Sequence, residues 1–351
     1  MPDRVATPEP VRELSLADKV AALRDPACHS GARVEAIETH MSWVFLTDTE
    51  AFKLKKPVYF DGVDFRSLDG RRSYCLEELR LNRRLAPSVY LDVMPLVLGT
   101  DGRIHVGGNG RTVDWLVRMR RLPSGLMLDK MLARRVATPA QMRAIAARLA
   151  EFHGAQPPVQ LDGVGYRSLL LRHIMQSEAA LCDPAWGLPA GHVASLCGRL
   201  RFLLIANASV LDHRAVTGRI VEAHGDLRPE HVYLGEPMAI IDCLEFSRAL
   251  RLLDGADEVG FLALECEMAH AAPLAQALVE AYREITGDPV PPRLLHFYQS
   301  VRACIRARLA IQHLRDPRYR ASQVWRQRAL RYLALAERHV AQALLHVHPD
   351  A

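Results

Sequence analysis

Up to about residue 120 the apolar residues recur mostly with the period of a β-strand. Residues 33–37 and 42–46 are short β-prone runs, and Thr47-Asp48-Thr49-Glu50 makes a turn. Residues 51–56 then return with Phe52 and Leu54 alternating against Lys53 and Lys55. A period of two puts both lysines on one face of the hairpin. Residues 68–86 break the pattern: Cys75, Leu76, Leu79 and Leu85 fall at helical spacing, and Pro87, just past the end, stops the helix. Strands resume at 93–98, 104–106 and 113–119, separated by turns at Asp101-Gly102 and at residues 107–110. This order predicts an antiparallel sheet carrying one helix, an α+β unit complete by about residue 120.

Beyond Leu122 helical spacing takes over. Met142, Ile145, Leu149 and Phe152 form one stripe, and residues 196–206, 258–269, 274–285, 292–314 and 324–345 are all helix-favouring. One β-like interruption stands out at residues 220–234 and 238–242, where Val232-Tyr233-Leu234 and Ala239-Ile240-Ile241 flank a Gly-Glu-Pro turn. There is no internal repeat and no low-complexity linker. Two domains are predicted, an N-terminal lobe of residues 1–120 and a mostly helical C-terminal lobe of residues 121–351, joined by a short hinge near residues 120–124.

Composition narrows the class. With 351 residues, 49% of them hydrophobic and 24% charged, the chain is long enough for real cores. No stretch reaches the roughly 18 uncharged apolar residues of a spanning helix, and residues 1–24 carry acids and prolines where a signal peptide has an apolar core. A cytoplasmic protein with no membrane partner is expected. The seven cysteines are scattered without a Cys-x-x-Cys pair, which argues against a zinc site and a disulfide framework. The net charge of +5 is spread along helical faces, and aromatics make up 6% without a stacking motif. That balance suits a phosphorylated nucleotide and gives no reason to expect nucleic acid as a partner. Nothing in the sequence specifies an oligomeric state.

Candidate chemistry concentrates in His224-Gly225-Asp226-Leu227-Arg228-Pro229-Glu230-His231 and in Asp242. An Asp on an irregular loop, followed by a hairpin whose second strand ends in another Asp, places two carboxylates at the mouth of one β-ribbon. Phosphoryl transfer needs such a pair, one for the acceptor hydroxyl and one for a divalent metal. The His-Gly-Asp-Leu string resembles the catalytic loop of the aminoglycoside phosphotransferase family, of protein-kinase-like fold, and Ile240-Ile241-Asp242 resembles its metal-binding strand. The nearest likeness is to a bacterial subgroup in which this domain can be fused to a P-loop ATP-binding domain. Its marks are Ser42-Trp43-Val44-Phe45-Leu46, Phe52-Lys53-Leu54-Lys55-Lys56-Pro57, Leu81-Asn82-Arg83-Arg84-Leu85-Ala86-Pro87 and Asp242-Cys243-Leu244-Glu245-Phe246, in that order. The likeness runs from the lysine hairpin near residue 50 to at least Phe261.

The resemblance implies a two-lobed fold and ATP-dependent transfer of the γ-phosphate to a hydroxyl of a small molecule, with Mg²⁺ or Mn²⁺. Asp226 then corresponds to the catalytic base and Asp242 to the principal metal ligand. Lys53 or Lys55 reaches the phosphates; Lys53 falls where the resemblance places a Val-Ala-Ile-Lys-like run, and Lys55 is the close alternative. A rotation of roughly 100° per residue turns Glu78 toward the apolar stripe of its helix and Glu77 away, making Glu78 the expected lysine partner. Met119, before the hinge, is expected near the adenine, or else is simply a core methionine. Arg228 stands where kinases acting on Ser or Thr place a lysine that contacts the transferred phosphate, and could equally pair with Glu230 or Asp242. Asp254 and Asp257 are expected to anchor the catalytic loop through its backbone N–H groups.

Two positions depart from the pattern. His231 replaces the Asn that serves the family as second metal ligand, and an imidazole suits magnesium less well than an amide oxygen. No glycine-rich phosphate loop lies between Gly31 and Leu46, where Glu38-Thr39-His40-Met41-Ser42 offers the hydroxyls of Thr39 and Ser42 instead. These departures motivate a second reading, a nucleotide-binding pseudokinase acting as a regulatory module. A third, a metal hydrolase built on His213, His224 and Asp226, lacks any supporting acid–histidine spacing on a helix. There is no Gly-x-x-x-x-Gly-Lys-Ser/Thr string, so any P-loop function is expected to be absent or on another chain. A fold name does not specify an acceptor, so an aminoglycoside substrate is not implied.

Overall fold

The computed structural model describes residues 14–346 apart from 61–62, 158, 317–318 and 321. The sequence reading of residues 1–13 lies outside these. The chain divides into two compact units, with the boundary between Pro123 and Ser124, and the architecture is α+β.

In the first unit the alternating segments form a six-stranded antiparallel sheet of order β1-β2-β3-β8-β6-β7. These strands are β1 (Glu35–Glu38), β2 (Ser42–Leu46), β3 (Glu50–Lys55), β6 (Tyr90–Leu98), β7 (Ile104–Val106) and β8 (Arg111–Arg120). A separate short ribbon pairs β4 (Tyr59–Phe60) with β5 (Val63–Asp64). Thr47 closes the β2–β3 turn, its hydroxyl donating to the Glu50 carbonyl and accepting from the Glu50 N–H. The strand period sends Phe52 and Leu54 into a core with Phe45, Leu96 and Leu116. That core also takes Val20 and Leu23 from α1 (Leu16–Arg24), a helix the apolar spacing does not predict. Its signal is a capping box, Ser15 with Asp18 three positions on.

The opposite face of β3 carries Lys53 and Lys55 toward α2 (Leu68–Asn82), which starts at the N-cap Ser67. This helix ends four residues before the predicted limit, because residues 83–86 curl into turns in which the Leu85 and Ala86 N–H groups both reach the Asn82 carbonyl. Both side chains are buried there.

The second unit is mostly helical: α3 (Leu128–Ala133), α4 (Pro139–Gly154), α5 (Gly163–Leu181), α6 (Ala190–Ala206), α7 (Ala208–Val216), α8 (Gly255–Met268), α9 (Ala272–Thr286), α10 (Pro292–Gln312) and α11 (Gln323–Leu345). Leu196, Leu200, Leu203, Leu211, Phe297 and Tyr332 lie in its main core. Buried Ala303, Ala307 and Ala310 of α10 and Ala329, Ala336 and Ala343 of α11 let these two long helices pack closely. Two short ribbons interrupt the helices. β9 (Ile220–Glu222) pairs with β12 (Leu252–Asp254), and β10 (Val232–Tyr233) pairs with β11 (Ala239–Ile240). The loop between β9 and β10 carries the His-Gly-Asp string. Among the described residues no single helix is long and apolar enough to cross a membrane.

Candidate active site

The catalytic-loop candidate begins where β9 ends, and its backbone course is set by Gly225. This residue has φ +87°, and a Cβ there would lie 3.1 Å from Arg251 Cγ and 3.2 Å from the Leu250 carbonyl. Gly225→Ala is expected to destabilise the unit by about 1–2 kcal/mol through the left-handed backbone alone, read as a lower thermal midpoint.

The loop is pinned from α8. Fully buried Glu258 accepts the Gly225 N–H at 2.8 Å, the His224 N–H at 3.1 Å and His153 Nε2 at 2.9 Å. His153 Nδ1 in turn meets the Tyr282 hydroxyl at 2.8 Å. The expected anchors do other work. Asp254 caps α8 at the Ala256 N–H and pairs with Arg214 and the Tyr298 hydroxyl, and Asp257 takes both its bonds from Arg302. One helical turn presents its acids in different directions, and Glu258 is the one facing the loop.

His224 ties this loop to the second carboxylate. In the tautomer protonated at Nε2 it donates to the Ile241 carbonyl at 2.8 Å and accepts the Asp226 N–H at Nδ1 at 3.3 Å. Burial holds its pKa below the ordinary imidazole range, which favours the neutral form this bonding requires. Asp242 follows directly with φ +61°, an uncommon conformation outside glycine and one that Asp tolerates better than most residues. Buried Arg251 clasps the next stretch, donating to the Leu244 and Glu245 carbonyls and to Glu222.

Asp226 is partly exposed, with 26% of its side-chain surface accessible. Its Oδ2 accepts Arg228 Nε at 3.1 Å and lies 3.0 Å from Arg228 Nη2. Its Oδ1 has no hydrogen bond among the described residues. Burial pushes this carboxyl up, but the charge of Arg228 foremost, with that of Arg306, outweighs it and holds its pKa below the ordinary value. Arg228 also bonds Glu230, and reaches His231 Nε2 at 3.0 Å. His231 donates from Nδ1 to the Asp226 carbonyl at 2.8 Å, so its Nε2 lone pair faces Arg228, 3.5 Å from Asp242 Oδ2. Asp226, Arg228, His231 and Asp242 are thus one contiguous cluster.

The lysine constellation belongs to the first unit. Glu78 is fully buried, with Lys53 Nζ 2.8 Å from Oε1 and Lys55 Nζ 2.6 Å from Oε2. Lys55 is sealed, and Lys53 keeps 14% of its side-chain surface exposed. Glu77 pairs with Arg80 instead. Met119 is buried in β8 between Ala51 and Tyr90 of the flanking strands. The Thr39 hydroxyl is engaged in its own turn, bonding the Ser42 N–H and carbonyl.

No family model matches the chain. Uncharacterized proteins of Mycobacterium tuberculosis (strain ATCC 25618 / H37Rv) and Mycobacterium bovis are each 32% identical over 314 residues, 88% of this chain and 60% of theirs. The chain therefore spans 60% of the length of these curated relatives. Among solved structures, a choline/ethanolamine kinase family protein from Mesorhizobium loti covers 93% of this chain and 99% of its own length at 18% identity and TM-score 0.56. Choline kinase from Cryptosporidium parvum covers 90% and 92% at 12% identity and TM-score 0.55. LicA in complex with AMP covers 94% and 99% at 15% identity and TM-score 0.53. The chain has the kinase-like fold of these proteins.

Within that fold the donors present fit a hard divalent cation. Among the described residues no group of three His, Cys, Asp or Glu side chains is gathered to hold an ion. Magnesium is commonly bound through one or two protein ligands, with phosphate oxygens and water completing its shell. Asp242 would supply the carboxylate of such a site; His231 Nε2 lies 3.5 Å from its Oδ2 but faces Arg228. His213 is exposed on α7, and His224 uses both ring nitrogens within the protein, so neither supports a hydrolytic metal site.

Proposed function

We propose that the protein is an ATP-dependent phosphotransferase of the aminoglycoside phosphotransferase-like kind, moving the γ-phosphate to a hydroxyl of a small molecule. The observation that carries this reading is Asp226, whose Oδ2 is fixed by Arg228 while Oδ1 stays open, on a loop held by Glu258. The AMP bound to LicA supports an adenine nucleotide as donor. ATP as donor supports a cytoplasmic reaction. The first unit is the nucleotide lobe and the second the catalytic and acceptor lobe.

Asp226 Oδ1 accepts the acceptor's O–H and orients its oxygen toward the γ-phosphorus. As the new P–O bond forms, the bond to the β-bridging oxygen breaks and ADP leaves with its electron pair. The hydroxyl proton passes to Asp226. A carboxylate this weakly basic takes the proton late, which suits a loose transition state with little charge on the nucleophile. Asp242, with His231 beside it, would hold Mg²⁺ or Mn²⁺, which supplies charge neutralisation at the phosphates. Lys53 and Lys55 both meet Glu78, and the more exposed Lys53 reaches the α- and β-phosphates. Arg228 faces the transferred phosphate while holding Oδ2, and Met119 lies beside the adenine.

The two lysines should separate experimentally. Lys53→Ala is expected to raise the KM for ATP about tenfold or more, with a smaller fall in melting temperature than Lys55→Ala, since the accessible ammonium is lost. Lys55→Ala removes the sealed partner of a buried carboxylate, and its main effect should be a lower melting temperature. The reverse ranking would move the phosphate contact to Lys55.

One observation favours the pseudokinase alternative: Arg228 occupies the His231 lone pair that a second metal contact would need. Calorimetric titration with Mg·ATP and Mn·ATP, followed by an ADP-release assay with alcohols and sugars, decides between the two. Binding with acceptor-stimulated ADP release supports the phosphotransferase. Binding without release supports the pseudokinase, and no binding removes both.

A further inference from the structure

Arg306 on α10 packs against α8, the helix whose Glu258 holds the Asp226 loop, and is given no role in the chemistry above. Its Nε donates to Glu265 Oε1 at 3.0 Å, and the Tyr332 hydroxyl donates to the same carboxylate at 2.9 Å. The guanidinium carbon lies 5.9 Å from the Phe261 ring centroid and 5.7 Å from that of Tyr332. A carboxylate at Nε and two neighbouring aromatic rings therefore hold a guanidinium whose side chain is 11% exposed. Its two terminal nitrogens make no hydrogen bond among the described residues, and neither is sealed from solvent. Both Asp226 and Glu230 feel its charge.

The neighbouring acids are already matched. Glu230 is bonded by Arg228, Glu265 by Arg306 and Tyr332, and Asp257 by two bonds of 2.7 Å from Arg302. A cationic acceptor, such as an amino alcohol, would meet fixed arginines here without an uncommitted carboxylate among these three. An oxyanion would meet an oriented fork with two donors to spare, the geometry that recognises carboxylate and phosphate.

We propose that the acceptor is an anionic hydroxyl compound, whose carboxylate or phosphate is received by the terminal nitrogens of Arg306 while its hydroxyl meets Asp226 Oδ1. This rests on the phosphotransferase reading. Arg306 is then the specificity residue of the acceptor site, and the aromatic pair with Glu265 positions it.

The test uses the full chain with Mg·ATP. Calorimetric binding of Mg·ATP is measured first, and its absence would sink the phosphotransferase reading itself. With donor binding in hand, ADP release is followed with glycerate, glycerol phosphate, glycerol, ethanolamine and choline at matched ionic strength. Glycerate or glycerol phosphate should stimulate release at least tenfold more than glycerol, and the better of the two says which oxyanion is read. Ethanolamine and choline should not stimulate it. Arg306→Gln should raise the KM for the anionic probe about 10–100-fold, the loss of charge-assisted hydrogen bonds. The KM for ATP should stay unchanged, and Arg306→Lys should recover part of the loss. Should Arg306→Gln fold poorly, the wild-type ranking of anionic over neutral and cationic probes remains the deciding measurement. Preference for the amines, an unmoved anion KM in a folded Arg306→Gln, a rise in the ATP KM instead, or no stimulation by any probe each overturns the proposal.

Discussion

Asp226→Asn is expected to lower phosphoryl transfer by about 10²–10⁴-fold while ATP affinity stays within a few fold. Asparagine keeps the size of the side chain, and its amide oxygen can still accept from Arg228, so the loop should hold its course. What is lost is the negative charge and the basic oxygen at the open position, both of which act on the acceptor hydroxyl rather than on the nucleotide. The expected signature is therefore a fall in kcat with calorimetric binding of Mg·ATP nearly intact. Near-native turnover of Asp226→Asn would remove Asp226 from the chemistry.

Glu258→Ala should be the most destabilising single change in the loop's support, by about 3–5 kcal/mol, because a buried, partnered charge is deleted. The His224 and Gly225 N–H groups and the His153 ring would lose their common acceptor, and urea unfolding should show the cost directly. The same residue predicts a pH dependence. Burial pushes Glu258 up, but the hydrogen bond and charge of His153 and the Gly225 N–H outweigh it and bring its pKa from the ordinary 4.5 to about 2. A carboxyl lowered by folding stabilises the protein fully above about pH 4.5, and that contribution drains away as the pH falls toward about 2. Such a shift is worth about 3 kcal/mol. Other lowered carboxyls, Asp226, Glu230 and Asp288 among them, add to the acid sensitivity of the wild type. The difference between wild type and Glu258→Gln isolates the term: the variant should lose less stability between pH 5 and about pH 3. Parallel curves for the two proteins would show that Glu258 does not carry it.

The arrangement of Glu258 also explains why a loop can present Asp226 at all. Backbone N–H groups that leave regular structure need partners, and here a helix supplies a charged acceptor for two of them in succession. Gly225 makes the required backbone turn, and His224 carries the constraint across to the strand before Asp242. The two carboxylates of the candidate site are thereby held by one buried hydrogen-bond network rather than by two independent loops.

Much of this was legible in the chain itself, because periodicity is a local property. Alternation in residues 51–56 put Lys53 and Lys55 on one strand face, and the 100° step of a helix separated Glu78, which is buried, from Glu77, which pairs with Arg80 at the surface. The α+β class followed from the change of period near residue 120. Short helices escaped: α1 buries few apolar side chains, so its spacing is weak and its capping box was the better signal. What no local pattern contains is the partner of a side chain. That one carboxylate is shared by both lysines, oxygen by oxygen, depends on α2 crossing β3 at that point. Asp254, Asp257 and Glu258 are near-equivalent acids in sequence, and only the packing of α8 against the loop, α4 and α10 assigns one to the backbone and the others to arginines. Arg306 lies 80 positions from Asp226 in the chain, and it bears on the site because tertiary packing sets α10 against α8, the helix that holds the Asp226 loop. Local spacing determines which face a residue occupies; the fold decides what that face meets, because burial leaves a charge no solvent to substitute for its partner.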